Sequence, residues 1–210
     1  MTYKKLKPVP ILVIVAGIFW FWMFSPWTKE IISFWPVMAL ATGILAGSAI
    51  VIDGRSVFQS SRKLTFDIAI GLISAVGLYA IFFIGKHLSE FVLPFSGGQI
   101  GRVYETRSQG NLWIVGCLLL FWIGPAEEIF WRGFVQRRLG ERYGPLVAFA
   151  QTLVLYTLVH IWSLNLMLLA AAFICGLAWG AMYWIFGSIR PGLISHAVWD
   201  VLIFVVFPLN

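Results

Sequence analysis

Of the 210 residues, 60% are hydrophobic and 11% charged, with 11 Trp and 18 Phe, a balance that excludes a soluble globule and defines one all-helical, polytopic membrane domain over residues 1–210. The formal charge of +6 sits in clusters beside apolar runs, where membrane topology places it, so nucleic acid is excluded as a partner. Cys117 and Cys175 both lie within apolar spans and behave there as small hydrophobes, which excludes a disulfide framework or a thiolate metal site.

Lys4, Lys5 and Lys7 precede an apolar run from Val9 to Phe24. It closes on Met23-Phe24-Ser25-Pro26-Trp27, with no small-x-small cleavage site, and is expected to be a retained first span rather than a signal peptide. The second span is expected from Ile31 to Ile52, where Gly43 and Gly47 allow another helix to approach closely. A polar loop from Asp53 to Lys63, holding Arg55, Arg62 and Lys63, leads to a third span from Phe66 to Gly85. Lys86 to Gly110 is then the longest connection, amphipathic at first and afterwards rich in glycine and polar residues. A segment of that length is either a lid over a cavity mouth or a surface loop.

The fourth span is expected from Leu112 to Leu139, closed by Arg137, Arg138 and Arg142. Pro145 to His160 makes a short fifth span, Leu164 to Phe186 a sixth and Pro191 to Phe207 a seventh. Each is near the roughly 20 residues that a membrane helix needs. Ala172, Gly176 and Gly180 form a second ridge for close packing. With seven spans and a cytoplasmic N-terminus, only Lys29, Lys86, Arg102 and Arg107 of the 15 Lys and Arg residues fall outside. The positive-inside rule therefore predicts a multi-pass cell-membrane protein with its N-terminus in the cytoplasm and its C-terminus outside.

Within the fourth span stand Glu127, Glu128 and Arg132. An ionisable side chain at the bilayer centre costs roughly 2.5–3.5 kcal/mol on insertion scales, so such groups face a protein interior or a wet cavity. Glu128 and Arg132 share a helix face and can neutralise each other; Glu127 lies about 100° round the helix and is the less committed carboxylate. Pro125 cannot donate to the Phe121 carbonyl and is expected to kink the helix just before the acids. Two further spans carry polar groups at a comparable depth: His160 on the fifth, and His196 with Asp200 on one face of the seventh. These placements allow one cavity between spans four, five and seven.

Glu127-Glu128-x-x-x-Arg132, an aromatic residue four positions before His160, and His196-x-x-x-Asp200 resemble the three motifs of the CPBP family of intramembrane proteases. That family includes CAAX prenyl endopeptidases and bacteriocin-processing and immunity proteins. The resemblance covers residues 111–205 as a catalytic core, and Pro-Ala-Glu-Glu-Ile-Phe-Trp-Arg-Gly is its most specific part. It implies a metal-free, glutamic-type endopeptidase acting on a peptide or membrane-anchored protein substrate within the lipid bilayer. Glu127 would activate water with help from His160. Glu128 and Arg132 would shape the site, and His196 with position 200 would stabilise the oxyanion. Two positions depart from the pattern: Tyr156 stands where Phe is usual, and Asp200 where Asn is common. An ionised Asp offers no hydrogen-bond donor, which touches its oxyanion role directly.

Three alternatives stand beside the protease. A membrane binding or immunity protein would keep the cavity without turnover, although a pure binder has no need of both Glu and two His. Proton-coupled transport would use the same groups, but no inverted repeat is present in the sequence. A Zn²⁺ ion held by Glu127, His160 and His196 is conceivable chemically, yet the chain has no H-E-x-x-H pair.

Overall fold

The computed structural model describes residues 6–58, 60 and 62–209. Lys4 and Lys5, which enter the charge count, and Asn210 lie outside the described residues. Among the described residues there are helices and turns but no strand. We label the helices α1 (Pro8–Phe24), α2 (Phe34–Asp53), α3 (Leu64–Val92), α4 (Ser96–Tyr104), α5 (Leu112–Tyr143), α6 (Pro145–Val159), α7 (Leu166–Phe186) and α8 (Arg190–Val201). Five of them, α2, α3, α5, α6 with its following turn, and α7, are long and apolar enough to cross a membrane. α1 is a shorter apolar helix of 17 residues, and α8 has 12 residues, prolonged by a wide π turn at Leu202–Val206.

Local chemistry explains most of the boundaries. Thr28 Oγ lies 3.1 Å from the Phe21 carbonyl, which already accepts from the Ser25 amide, and donates at 2.8 Å to the Trp22 carbonyl at the end of α1. The Asn111 side chain accepts from the Trp113 and Ile114 amides at the start of α5, and Asn165 does the same for Leu168 at the start of α7. α5 and α6 are joined by Gly144 alone, at φ 86°, a conformation that only glycine adopts without strain.

The third span runs further than the apolar pattern indicates. Nothing after Gly85 breaks the helix, and Lys86 pairs with Glu90 one turn on, at 3.5 Å. It ends where Pro94 forces Leu93 into an extended conformation (φ −121°, ψ 99°). The connection expected from Lys86 to Gly110 is therefore mostly helical, comprising the end of α3, α4 and a 3₁₀ turn at Glu105–Gln109.

The bundle has two chemically distinct ends. At one, Asp53 pairs with Arg137 and Arg138, Arg62 Nε donates to the Phe186 carbonyl at 3.1 Å, and Arg190 lies 3.7 Å from Asp67. At the other, α4 and its turn are tied across the helix ends. Asn165 Nδ2 donates to the Gln99 carbonyl (2.7 Å), Trp35 Nε1 to Thr106 O (2.8 Å) and Tyr104 OH to Ile203 O (3.0 Å).

Small residues set how closely the helices approach. A Cβ built at Gly71 of α3 would lie 2.7 Å from Ile194 Cβ, and one at Gly124 of α5 would lie 3.1 Å from the Ala197 backbone, so α8 is clamped between α3 and α5. The ridge on α7 packs as its spacing predicts, with Gly176 against Leu153 and Tyr156, and Gly180 against Phe149. Of the pair on α2, Gly43 meets Trp122 at 3.0 Å, whereas Gly47 faces open space. Large apolar side chains such as Ile11, Ile73, Phe91, Trp113 and Phe121 point outward, the surface that lipid covers.

Candidate active site

The α5 helix changes pitch on both sides of the acids. Leu119–Ile123 and Ile129–Gln136 are wound as π-helix, and Gly124–Glu128 between them is α-helical. The Gly124 amide reaches back five residues to the Leu119 carbonyl, so the ladder is already widened by one residue where it meets Pro125, which has no N–H to give. Such π segments recur at functional sites, because they re-aim side chains.

Glu128 and Arg132 form the pair that their spacing predicts, at 2.8 Å, with 0% and 1% side-chain exposure. The pair has more partners than the sequence reveals. Glu128 Oε1 also accepts from His196 Nδ1 at 2.9 Å, bridging α5 to α8. The Arg132 guanidinium lies over the Tyr156 ring (4.8 Å) and the Trp179 ring (5.6 Å) and approaches the Gly176 carbonyl at 3.4 Å. A Cβ at Gly192 would come within 2.9 Å of Glu128 Oε2, so the carboxylate occupies space that a glycine leaves. Charge this deep in the protein is held by several contacts at once.

His196 is fixed on three sides. Trp179 stacks on its ring at 3.6 Å between centroids and 15° between planes, and Trp179 Nε1 is itself anchored on Ser195 Oγ at 3.1 Å. With Nδ1 donating to Glu128, Nε2 is left facing Asp200 Oδ2 at 3.6 Å. Each ring nitrogen thus looks at a carboxylate.

Glu127 differs from all of these. It is buried, it lines a cavity of about 820 Å³, and its Oε2 meets no protein donor. Tyr156, His160, Trp179, His196 and Asp200 line the same cavity, whereas Glu128 and Arg132 stand behind its wall. The residues singled out on spans four, five and seven thus gather at one place, and α7 adds Trp179 and Cys175 to the wall.

His160 is the first residue after α6, opening a 3₁₀ turn to Ser163. Its Nδ1 lies 2.8 Å from the Tyr156 carbonyl, which can only accept, so Nδ1 carries the proton. Its Nε2 then accepts from Trp20 Nε1 of α1 at 3.0 Å. Both nitrogens of this imidazole are engaged with protein. Sequence reasoning missed Trp20 and Trp179. No motif marks either, and α1 carries nothing diagnostic beyond its hydrophobicity. Tyr156, seen in the sequence only as a departure from Phe, proves to lie on the cavity wall, with its ring edge-on to His160 (5.2 Å) and Trp131 (5.3 Å).

The alternative of Zn²⁺ at Glu127, His160 and His196 fits this geometry poorly. Among the described residues no three His, Cys, Asp or Glu side chains form a ligand group, and His160 has no nitrogen free to ligate.

Residues 108–202 match the family model described as type II CAAX prenyl endopeptidase Rce1-like. No curated protein and no solved structure matches the chain at a significant level.

Proposed function

We propose that the protein is a glutamic-type intramembrane endopeptidase that hydrolyses a peptide bond of a small or membrane-anchored protein substrate, a reading supported by the match of residues 108–202 to the Rce1-like family model. The observation that carries the proposal is the division of labour between adjacent acids. Glu128 is committed to Arg132 and His196, while Glu127 opens into the cavity with an oxygen that no protein donor satisfies.

In this reading the Glu127 carboxylate takes a proton from a water molecule as that water attacks the substrate carbonyl. The developing oxyanion is met from α8 by His196 Nε2, with Asp200 beside it on the cavity wall at 3.6 Å. Because His196 Nδ1–H is already given to Glu128, Nε2 donates only in the imidazolium form, which then has a carboxylate on each side. Glu127 returns its proton to the departing amine as the C–N bond breaks, leaving a carboxylic acid and an amine, and the acid's remaining proton passes to the amine to give carboxylate and ammonium. Glu128, Arg132 and Trp179 act on the reaction by holding His196. His160 stands on the cavity wall with Trp20 on its Nε2, so proton transfer is assigned to Glu127.

The same proposal covers topology. The end carrying Arg55, Arg62, Lys63, Arg137, Arg138, Arg142 and Arg190 is the cytoplasmic one in a cell membrane.

Glu127→Gln keeps the shape and removes the base. Comparing the termini of membrane-associated proteins in cells with wild-type and Glu127→Gln protein should reveal fragments that require the acid, with turnover lowered by roughly 10²–10⁴-fold. A Glu127→Gln protein that keeps most of its turnover refutes the mechanism.

A further inference from the structure

Three tryptophans, Trp35, Trp179 and Trp199, stand in the wall of the cavity. Trp35 Nε1 donates to the Thr106 carbonyl at 2.8 Å, and Trp179 Nε1 to Ser195 Oγ at 3.1 Å. Trp199 differs: its Nε1 is buried and meets no acceptor. Among the described residues, only one other wall residue has a buried side-chain atom left in that condition, Glu127 with its Oε2. The first is a donor on α8 and the second an acceptor on α5. Buried polar groups in native proteins are paired, so one that is not points to a ligand, a water or a reacting group.

The neighbours of Trp199 fix its place in the site. It lies three residues beyond His196 and one before Asp200, so it and Asp200 both flank His196 along α8. Its ring stands edge-on to Phe82 of α3 (4.8 Å, 60°) and to Trp179 of α7 (5.8 Å, 72°), and Trp179 is the ring that stacks on His196. The indole and the imidazole therefore share one aromatic support. α8 is also pressed against α5 beside the acid: a Cβ at Gly124, one turn before Glu127, would lie 3.1 Å from the backbone of Ala197, the residue after His196. The unmet donor and the unmet acceptor belong to two helices in close contact.

Resting on the protease reading, we propose that Trp199 is a further catalytic residue: its Nε1–H is the second donor, beside His196 Nε2, for the substrate carbonyl oxygen as that oxygen becomes an oxyanion. Peptide-bond hydrolysis asks for an acceptor for the proton of water and for donors to the carbonyl oxygen. Glu127 Oε2 and Trp199 Nε1 are the groups left open for those tasks. As the water oxygen bonds to the carbonyl carbon, its proton goes to Glu127 and the C=O π pair moves onto the carbonyl oxygen. Collapse of the adduct returns that pair and breaks the C–N bond, with the proton passing from Glu127 to nitrogen. Trp199 transfers no proton. An indole N–H donates in its only protonation state, whereas His196 Nε2 donates only as imidazolium and a carboxylate at Asp200 does not donate at all.

The test removes the donor and keeps the shape. Trp199→Phe leaves an aromatic ring against Phe82 and Trp179 without the N–H, and replacement of Trp199 by benzothienylalanine keeps the whole bicyclic outline with sulfur in place of the N–H. Both proteins are assayed in detergent on the quenched-fluorescent peptide that the wild-type protein cleaves fastest from a mixed set, and the thermal unfolding of each is recorded. Loss of one oxyanion donor is expected to lower kcat by roughly 10²–10³-fold, with KM and unfolding temperature unchanged in the benzothienylalanine protein. A phosphinic peptide of the same sequence, whose tetrahedral P–O⁻ group represents the oxyanion, should lose inhibitory affinity by the same factor as kcat/KM; a purely structural indole produces no such match. A benzothienylalanine protein with wild-type kcat, or one whose KM rises while kcat holds, overturns the proposal and leaves the protease reading intact. If Trp199→Phe does not fold, the benzothienylalanine protein decides alone. Absence of any Glu127-dependent hydrolysis by the wild-type protein refutes the protease reading, and the role of Trp199 falls with it.

Discussion

Arg132→Met removes the cation from the most deeply buried ion pair among the described residues and keeps much of the side-chain volume. Glu128 is then left with a full carboxylate at 0% exposure, His196 as its remaining side-chain partner, and Oε2 against Gly192. Removing one member of a buried pair costs about 3–5 kcal/mol, because the other charge stays desolvated and unpaired. Glu128→Gln carries a comparable penalty from the other side, since Arg132 keeps only the Gly176 carbonyl at 3.4 Å and the faces of Tyr156 and Trp179. The double variant Glu128→Gln/Arg132→Met strands neither charge and should be less destabilised than the sum of the singles by about 0.5–3 kcal/mol. Equilibrium unfolding in mixed micelles, followed by tryptophan fluorescence, measures all three. Single losses below about 1 kcal/mol, or simple additivity, would refute the reasoning that this pair is a desolvated, mutually dependent unit.

Trp20→Phe keeps an aromatic ring on α1 but withdraws the N–H from His160 Nε2, leaving a buried acceptor unmet at a cost of about 1–3 kcal/mol; an unchanged ¹⁵N spectrum of His160 would show that the contact does not hold the imidazole. Gly192→Ala pushes a methyl to within 2.9 Å of Glu128 Oε2 and should destabilise by about 1–3 kcal/mol, whereas Gly47→Ala, with nothing within 4 Å, should be neutral or mildly stabilising in the same unfolding assay. Asp200→Asn distinguishes two roles for a residue 3.6 Å from His196 Nε2. If position 200 donates to the oxyanion, the Asn variant stays active and loses any alkaline decline caused by Asp deprotonation; if Asp200 orients His196 as an acceptor, the variant is impaired at every pH.

Some of the site was legible because helix geometry is local. The four-residue spacing of Glu128 and Arg132, and of His196 and Asp200, places each couple on one face whatever surrounds the helix, and the structure shows both. The same periodicity distinguished Glu127 as the uncommitted acid. Hydrophobic runs located the long helices, because a bilayer requires continuous apolar length wherever the chain turns. Where they end depended on particular contacts: Lys86 with Glu90 carries α3 on to Val92, and Pro94 stops it.

What joins separate helices followed no local rule. Trp20 donates to His160 across 140 residues, Trp179 stacks on His196, and His196 shares Glu128 with Arg132. Each contact depends on how far neighbouring helices slide and rotate before their surfaces lock. That is set by close approaches such as Gly71 on Ile194 and Gly124 on Ala197, and the same spacing rule that correctly marks Gly43 also marks Gly47, which touches nothing. Composition located the spans, and periodicity placed the ionisable groups of α5 and α8 on faces that want protein rather than lipid. The cavity, with Glu127 inside it and Glu128 behind its wall, was decided only when the helices packed, because a helix face has many possible partners and only steric fit between faces selects among them.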